Sequence, residues 1–299
     1  MRAREADVPR IHGKECPVEM KNVHPRTVQQ FSDIWRQHGR SLAKNPNISG
    51  GHDVRRSVDA YFSIFPLDCV AHKEGFDLGC GMGRVAHLIA PRVGLLHCID
   101  PSPTALEAAQ KRMGNSPNVR YHLASVAEIP LADESQDFGY SLGVLHHVPD
   151  TEAGLRTCVA KLKKGAPFLL YLYYNFDNRP VWFRALWKVS DIVRRGSSRL
   201  PFTARRALSD IIAFFVYAPL SRTALLLEHC GLNIENFPLS YYRRAKFGTL
   251  RADSLDRFGT SLERRFSRTE MQEMMIRAGL GGIRFREEAP YWVAVGWKT

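Results

Sequence analysis

One run of residues, Asp77-Leu78-Gly79-Cys80-Gly81-Met82-Gly83, constrains the fold of this 299-residue chain more than any other feature. It follows a short apolar stretch, Gly75 to Leu78, and precedes an amphipathic one, Arg84 to Ile89. A strand that ends in alternating glycines can turn tightly, bring bare backbone against a ligand, and open a helix whose first N–H groups point at it. The Gly-rich turn after the first strand of an α/β sheet is where adenosine-containing cofactors sit. The dinucleotide fingerprint G-x-G-x-x-G requires glycine at position 84, where this chain has Arg84, so that cofactor class is disfavoured.

From Lys73 onward the pattern alternates between the two element types. Strands are expected at about 74–78, 94–99, 119–123, 137–142 and 167–173. Helices are expected at 83–90, from Pro103-Thr104 to Met113, and at 151–162. Two closing strands follow a helix at 269–278. Alternation at this spacing predicts an α/β fold: a doubly wound, mostly parallel, Rossmann-like sheet with right-handed crossovers. Gly94 to Asp100 reads as the second strand with an acid at its C-terminal end, placed to accept ribose hydroxyls. The chain divides into a leader (1–25), N-terminal helices (26–72), a core (73–175), a segment of two or three helical stretches read as a lid (176–265), and a closing helix with the last two strands (266–299). Helices are expected at Thr27–Gln37, with Phe31 and Trp35 one turn apart on one face, and at Asp53–Phe62.

Four motifs in order carry a family resemblance. The D-x-G-x-G-x-G spacing at 77–83 resembles motif I of the class I S-adenosylmethionine (SAM) methyltransferases. Asp100 at the end of strand two, Ala124-Ser125-Val126-Ala127-Glu128-Ile129-Pro130 after strand three, and Gly143-Val144-Leu145-His146-His147-Val148-Pro149-Asp150 after strand four are similar to the segments that follow it in small-molecule members. The resemblance implies a seven-stranded sheet, the last two strands antiparallel, and SAM as cofactor. It implies that Gly79, Cys80, Gly81 and Gly83 underlie the methionine and ribose, that Asp77 takes the amino group, and that Asp100 with Pro101 holds the ribose. Where the family has an acid for the adenine amino group this chain has Ser125, so the Ser125 hydroxyl and the Val126 amide are the expected contacts. Leu142 completes the cofactor set. Phe31 and Trp35 either close over the cofactor or form a plain core stripe. His146 and His147 are the candidate general bases, since imidazole titrates near neutrality; one of the two is equally suited to packing the loop. Asp150 reads as a helix N-cap. Tyr173, Tyr174, Asn175 and, in the lid, Trp182 are candidate substrate contacts.

Composition is that of a globular protein, with 44% hydrophobic and 24% charged residues. No signal peptide and no run approaching 18 apolar residues is evident, and the run Ile211–Leu220 is interrupted by Pro219. Six cysteines lack C-x-x-C spacing, and no metal site is expected. A reducing cytoplasmic setting follows from that usage. The net charge of +12 is concentrated outside the core: residues 179, 184, 188, 194, 195, 199, 205 and 206 are all basic, against Asp191 alone. The expected partner is a small, anionic or lipid-linked acceptor methylated at oxygen or nitrogen, with peripheral contact to an anionic membrane through the basic lid as a further expectation. RNA as substrate, or SAM binding without turnover, are the rival readings; no recognisable RNA-binding module supports the first.

Overall fold

The structure, a computed structural model, describes residues 20–44, 51–114 and 116–299. Seven strands form one sheet: β1 (Glu74–Leu78), β2 (Leu95–Asp100), β3 (Val119–Leu123), β4 (Phe138–Leu142), β5 (Pro167–Tyr171), β6 (Leu280–Phe285) and β7 (Val293–Lys298). Their order is β3-β2-β1-β4-β5-β7-β6. The first five are parallel, and β7 runs antiparallel between β5 and β6. The Rossmann-like, doubly wound sheet expected from the sequence is therefore present. Strand order reverses between β1 and β4, and a ligand crevice opens beyond the carboxyl ends of strands at such a reversal.

Helices in chain order are α1 (Pro25–Lys44), α2 (Gly51–Phe62), α3 (Ala86–Ile89), α4 (Pro103–Met113), α5 (Thr151–Lys161), α6 (Val181–Ser197), α7 (Phe202–Ile212), α8 (Ala218–His229), α9 (Phe247–Gly259) and α10 (Arg268–Arg277). Parallel strands covered on both faces should be apolar throughout, and β1, β4 and β5 are buried along nearly their whole length. One face of the sheet packs Phe76 and Phe168 with Leu155 of α5 and Met271 and Met275 of α10. The other packs Leu96, Phe138 and Tyr140 with Phe62 of α2 and Leu106 of α4. Each fully buried side chain of this size stabilises the fold by about 1.5–3 kcal/mol.

Local chemistry sets the helix ends. The Ser102 hydroxyl accepts the Ala105 N–H at the start of α4, with Pro103 at the first helical position. Asp150 caps α5 by accepting the Ala153 N–H at 2.9 Å. Ser267 and Glu270 form a capping box on α10. Asn22, in the expected leader, exchanges two hydrogen bonds with the Asp150 backbone, so the end of that segment is tied to the core; residues 1–19 lie outside the described residues.

Two expectations need correction. The helix after the glycine turn is only four residues long and passes into a 3-10 turn at Ala90–Arg92, because Pro91 follows at once. The turn itself, not a helix N-terminus, must therefore supply the ligand-facing N–H groups. Pro219 does not interrupt the apolar segment either. A π-turn at Ala213–Tyr217 lets α7 and α8 run on as one 28-residue helix, Phe202–His229, with an 18-residue window of mean hydropathy 1.5.

The segment 176–265 holds α6 to α9. Helix α9 packs against α6, α7 and α1. Helix α1 also packs on α4 of the core and reaches the 176–265 segment through side chains: Gln30 donates to the Ser198 carbonyl and accepts from the Ser261 N–H.

Candidate functional site

The glycine turn closes through the β2 strand. Gly79 and Cys80 donate backbone N–H groups to the Ile99 carbonyl, and Gly81 donates to Asp100 Oδ2 at 2.9 Å. Asp100 Oδ1 accepts the Ser102 N–H, also at 2.9 Å. Each carboxylate oxygen thus makes one bond and retains a second lone pair for a diol. Burial pushes the Asp100 pKa up to about 6, against the pull of the two N–H groups.

Gly79 has φ +75°, and a β-carbon there would stand 2.3 Å from Val144 Cγ2. Its glycine is required both by the left-handed backbone and by the loop after β4. Gly83 lies tight against Ala109 and Met113 of α4 and so serves packing between the turn and the helix. Cys80 turns its side chain into the core cluster, leaving only its backbone to a ligand. Above the turn, a β-carbon on Gly81 would meet the Trp35 ring at 3.4 Å. Trp35 stacks with Phe31 (6.0 Å between centroids), and Phe31 lies edge-on to the His147 ring at 5.0 Å. The α1 aromatics therefore cover the glycine turn and the His-His loop.

Asp77 is buried beneath the turn with Oδ2 lacking any hydrogen-bond partner. Burial pushes its pKa up to about 8, Tyr140 opposing this and Asp100 adding to it. An orphaned carboxylate oxygen here is the observation that tests SAM: the ammonium of an amino acid would complete its bonding, and the Asp100 lone pairs would take a ribose. The residues fit the cofactor at its amino-acid end and at its ribose.

The adenine-side expectations are less well met. The Ser125 hydroxyl is fully buried and accepts the Ala127 N–H at 3.2 Å, folding the loop on itself. The Val126 side chain packs in the core against α5, so only its backbone remains for an adenine. Leu142 closes β4 at the strand ends, half-buried, and Pro101 sits between Asp100 and Ser102, whose N–H that acid accepts.

On the acceptor side, His146 and His147 lie in a 3-10 turn at Leu145–His147. The His146 ring stacks on Tyr173 at 3.8 Å; its Nδ1 accepts the Tyr173 N–H at 3.4 Å, and Nε2 is buried without a partner. His147 Nδ1 lies 2.6 Å from the Leu262 carbonyl and so carries the proton, leaving Nε2 with its lone pair. Burial lowers both pKa values, most strongly for His146, and the Leu262 bond opposes this in His147. Both rings are therefore neutral at pH 7.

Strand β5 ends at Tyr171, short of the expected 173, and the Tyr173 ring lies 6.0 Å from that of Tyr171. The Tyr173 hydroxyl reaches Asp256 of α9 at 3.4 Å, and the Arg265 guanidinium covers its ring at 5.1 Å. Tyr174 points elsewhere, among Phe176, Tyr291 and Trp292. Asn175 accepts the Asp177 N–H and serves a turn. Trp182 is about half exposed on α6 and belongs to the outer surface, not the crevice. Of the four expected substrate contacts, Tyr173 alone is placed beside His146; Tyr174, Asn175 and Trp182 lie in aromatic packing, in a turn and on an exposed helix face.

Asp256, Arg265 and Glu263 were not singled out from the sequence. Burial pushes the Asp256 pKa up to about 7, with Asp253 and Glu263 adding to the effect, while Arg84 beside the glycine turn draws it down. Arg257 and Arg265 both bind Glu263, whose carboxyl burial pushes up but the two guanidiniums hold below its usual range. Two acids three residues apart on a helix, Asp253 and Asp256, were the only signal in the sequence, and that pattern usually marks a solvated face.

With this geometry in place, comparison with known proteins is informative. A family model described as a methyltransferase domain matches residues 76–170. That stretch is similar to a methyltransferase domain. Within it lie β1 to β5 almost entire, the glycine turn, Asp100 and both histidines. The chain is 30% identical over 178 residues to methyltransferase GfsG of Streptomyces halstedii, covering 58% of this chain and 52% of that one. It is also 30% identical over 130 residues to phosphoethanolamine N-methyltransferase 2 of Caenorhabditis elegans, covering 42% and 28%. The chain thus spans about half or less of the length of these relatives. A crystal structure of a SAM-dependent methyltransferase, possible histamine N-methyltransferase, from Thermotoga maritima aligns with 91% of this chain and 99% of its own at 17% identity, with a TM-score of 0.49.

Proposed function

We propose that the chain is a SAM-dependent methyltransferase that moves a methyl group to an oxygen or nitrogen of a small or carrier-linked molecule. The observation that carries this reading is the pair of buried carboxylates at the ends of β1 and β2. Asp77 has an unsatisfied oxygen for an ammonium, and Asp100 has spare lone pairs for a ribose. When bound, SAM supplies a methyl already activated by its sulfonium. The protein's own contribution is to hold the acceptor in line, exclude water, and take the acceptor's proton.

Trp35 and Phe31 cover the turn and keep water from it. Tyr173, held between His146 and Arg265, presents its hydroxyl at the crevice beside Asp256. Asp256, with a pKa of about 7, is the group suited to accept a proton near neutrality. A second reading gives that role to His147, favoured by the free lone pair that its Leu262 bond leaves on Nε2. The names of the relatives, a phosphoethanolamine N-methyltransferase among them, support a small-molecule acceptor.

Calorimetry tests the cofactor. S-adenosylhomocysteine should bind at micromolar concentration and NAD should not; the reverse result refutes the reading. Binding with no methyl transfer to any member of an acceptor panel of amines, phenols and carboxylates would favour a binding module instead.

A further inference from the structure

The lid presents an outer surface for which the crevice has no use. On α6, Trp182, Leu186, Val189 and Val193 recur at four- and three-residue steps and form one exposed stripe; Val189 alone is 59% exposed. Along one flank of that stripe stand Arg184, Lys188 and Arg195. The opposite face is buried, with Asp191 gripped by Arg194 and Arg195 and with Trp187 under Arg257 and Arg265. The long helix Phe202–His229 repeats the arrangement. Ile211, Phe214, Phe215 and Val216 project outward, Phe215 being 69% exposed, and Phe214 meets Phe247 of α9 edge-on.

Soluble proteins rarely expose contiguous apolar residues on this scale. The single acid between residues 179 and 206, Asp191, is consumed internally. Among the described residues Arg184, Lys188, Arg199 and Arg206 have no acidic partner, so their charge is available outward.

We propose that the outer faces of α6 and of the Phe202–His229 helix dock the protein on an anionic lipid bilayer, with the aromatic and aliphatic side chains in the headgroup boundary and the basic row against lipid phosphates. The occupant is fixed by charge and by the inner face together. An apolar stripe beside unpaired arginines and lysines is the pattern of an interfacial helix, apolar residues below and cations at headgroup level. Spanning the bilayer is a poor alternative despite the length of Phe202–His229. Its inner face carries Arg205, Ser209 and Asp210, and these belong to polar contacts with the rest of the protein: Ser254 donates to the Ser209 carbonyl, Arg251 pairs with Asp210, and Arg205 lies 3.8 Å from Asp33 of α1. The helix therefore lies along the surface. This surface is separate from the cofactor crevice, so docking does not depend on the reading of that crevice.

The test is flotation of the full chain with vesicles of phosphatidylcholine alone and of phosphatidylcholine mixed with phosphatidylglycerol. Binding is expected only to the anionic vesicles and should weaken as salt rises. Each basic residue near such a surface strengthens binding about fivefold, so the triple variant Arg184→Glu, Lys188→Glu, Arg199→Glu should bind at least about a hundredfold more weakly. The double variant Phe214→Ser, Phe215→Ser should also release the protein, while both variants keep an unaltered circular-dichroism melting curve. No flotation of the unaltered chain overturns the proposal, as does flotation that survives both variants. Self-association in solution that the Phe214→Ser, Phe215→Ser change abolishes, without vesicle binding, assigns the face to a second copy of the chain and overturns it too.

Discussion

Asp100 accepts the Gly81 N–H at 2.9 Å, and this one bond joins the glycine turn after β1 to the acid that ends β2. The two halves of the sequence signature are thus a single structural unit. Asp100 shapes the turn with one lone pair of Oδ2 and keeps the other for a ligand.

Replacing Asp100 with Asn should therefore do more than remove a charge. An amide NH2 would confront the N–H of either Gly81 or Ser102, since both carboxylate oxygens are acceptors in the structure. A ribose would also lose a charged acceptor, a type of bond whose net worth is about 1.5–3 kcal/mol. Calorimetry with S-adenosylhomocysteine should show affinity falling about tenfold to a hundredfold. Unchanged affinity would remove Asp100 from the cofactor site.

Cofactor binding should release a proton. Asp77, with a pKa of about 8, is mostly protonated at pH 7, and an ammonium beside Oδ2 favours the ionised form. Affinity should rise with pH between about 6 and 8 and then level off. Titrations in two buffers of different ionisation enthalpy should report about one proton released at pH 7. Asp77→Asn should abolish the release. In the ligand-free protein the sign is opposite for stability. The folded pKa lies above the unfolded value, so the native state holds a proton that the unfolded chain has shed. Its melting temperature should fall as pH rises from about 4 to 8, a trend that Asp77→Asn should flatten.

Gly79→Ala should destabilise the fold. The new β-carbon would lie 2.3 Å from Val144 Cγ2, and φ +75° is strained for an L side chain. Overpacking costs about 1–3 kcal/mol and the left-handed backbone about 1–2 more. A urea melt should show a loss of that size. Adding Val144→Ala should restore the packing part and leave the backbone part, which separates the two causes.

How much of this was legible in the sequence follows from the range of the interactions. The strands, the turn and Asp100 were read from local patterns: apolar runs bounded by glycine, and an acid at a strand end. Asp150 was identified as a cap for the same reason, since the cap bond spans three residues. Asp256 could not be read this way. Its pKa is raised chiefly by burial, with Asp253 and Glu263 adding to it and Arg84 and Tyr173 opposing, and burial together with partners so far apart in sequence is set by the tertiary fold. The exposure of Trp182 was not legible either, because an aromatic among arginines looks the same in sequence on the inner or outer face of a helix. The continuity of Phe202–His229 was hidden by Pro219, which follows a π-turn at Ala213–Tyr217 within the unbroken helix.

The pH dependence of turnover should identify the base. Asp256 accepts a proton only when ionised, and burial places its pKa at about 7, so kcat should rise with pH through neutrality and level above it. His147 predicts a different limb, because burial lowers its pKa below the ordinary imidazole value and it is already neutral at pH 7. Turnover limited by His147 would be flat across neutrality and fall only in acid. Asp256→Asn keeps the shape of the side chain and a partner for the Tyr173 hydroxyl, yet it cannot take a proton. It should lower kcat about a hundredfold or more, remove the limb near pH 7, and leave S-adenosylhomocysteine affinity intact, since Asp256 belongs to α9 and not to the glycine turn. His147→Ala should lower kcat less and should also loosen the lid, because the Leu262 carbonyl loses its donor. If the Asn variant keeps the wild-type limb and the Ala variant loses the greater part of turnover, the proton goes to His147, and Asp256 serves only to hold Tyr173.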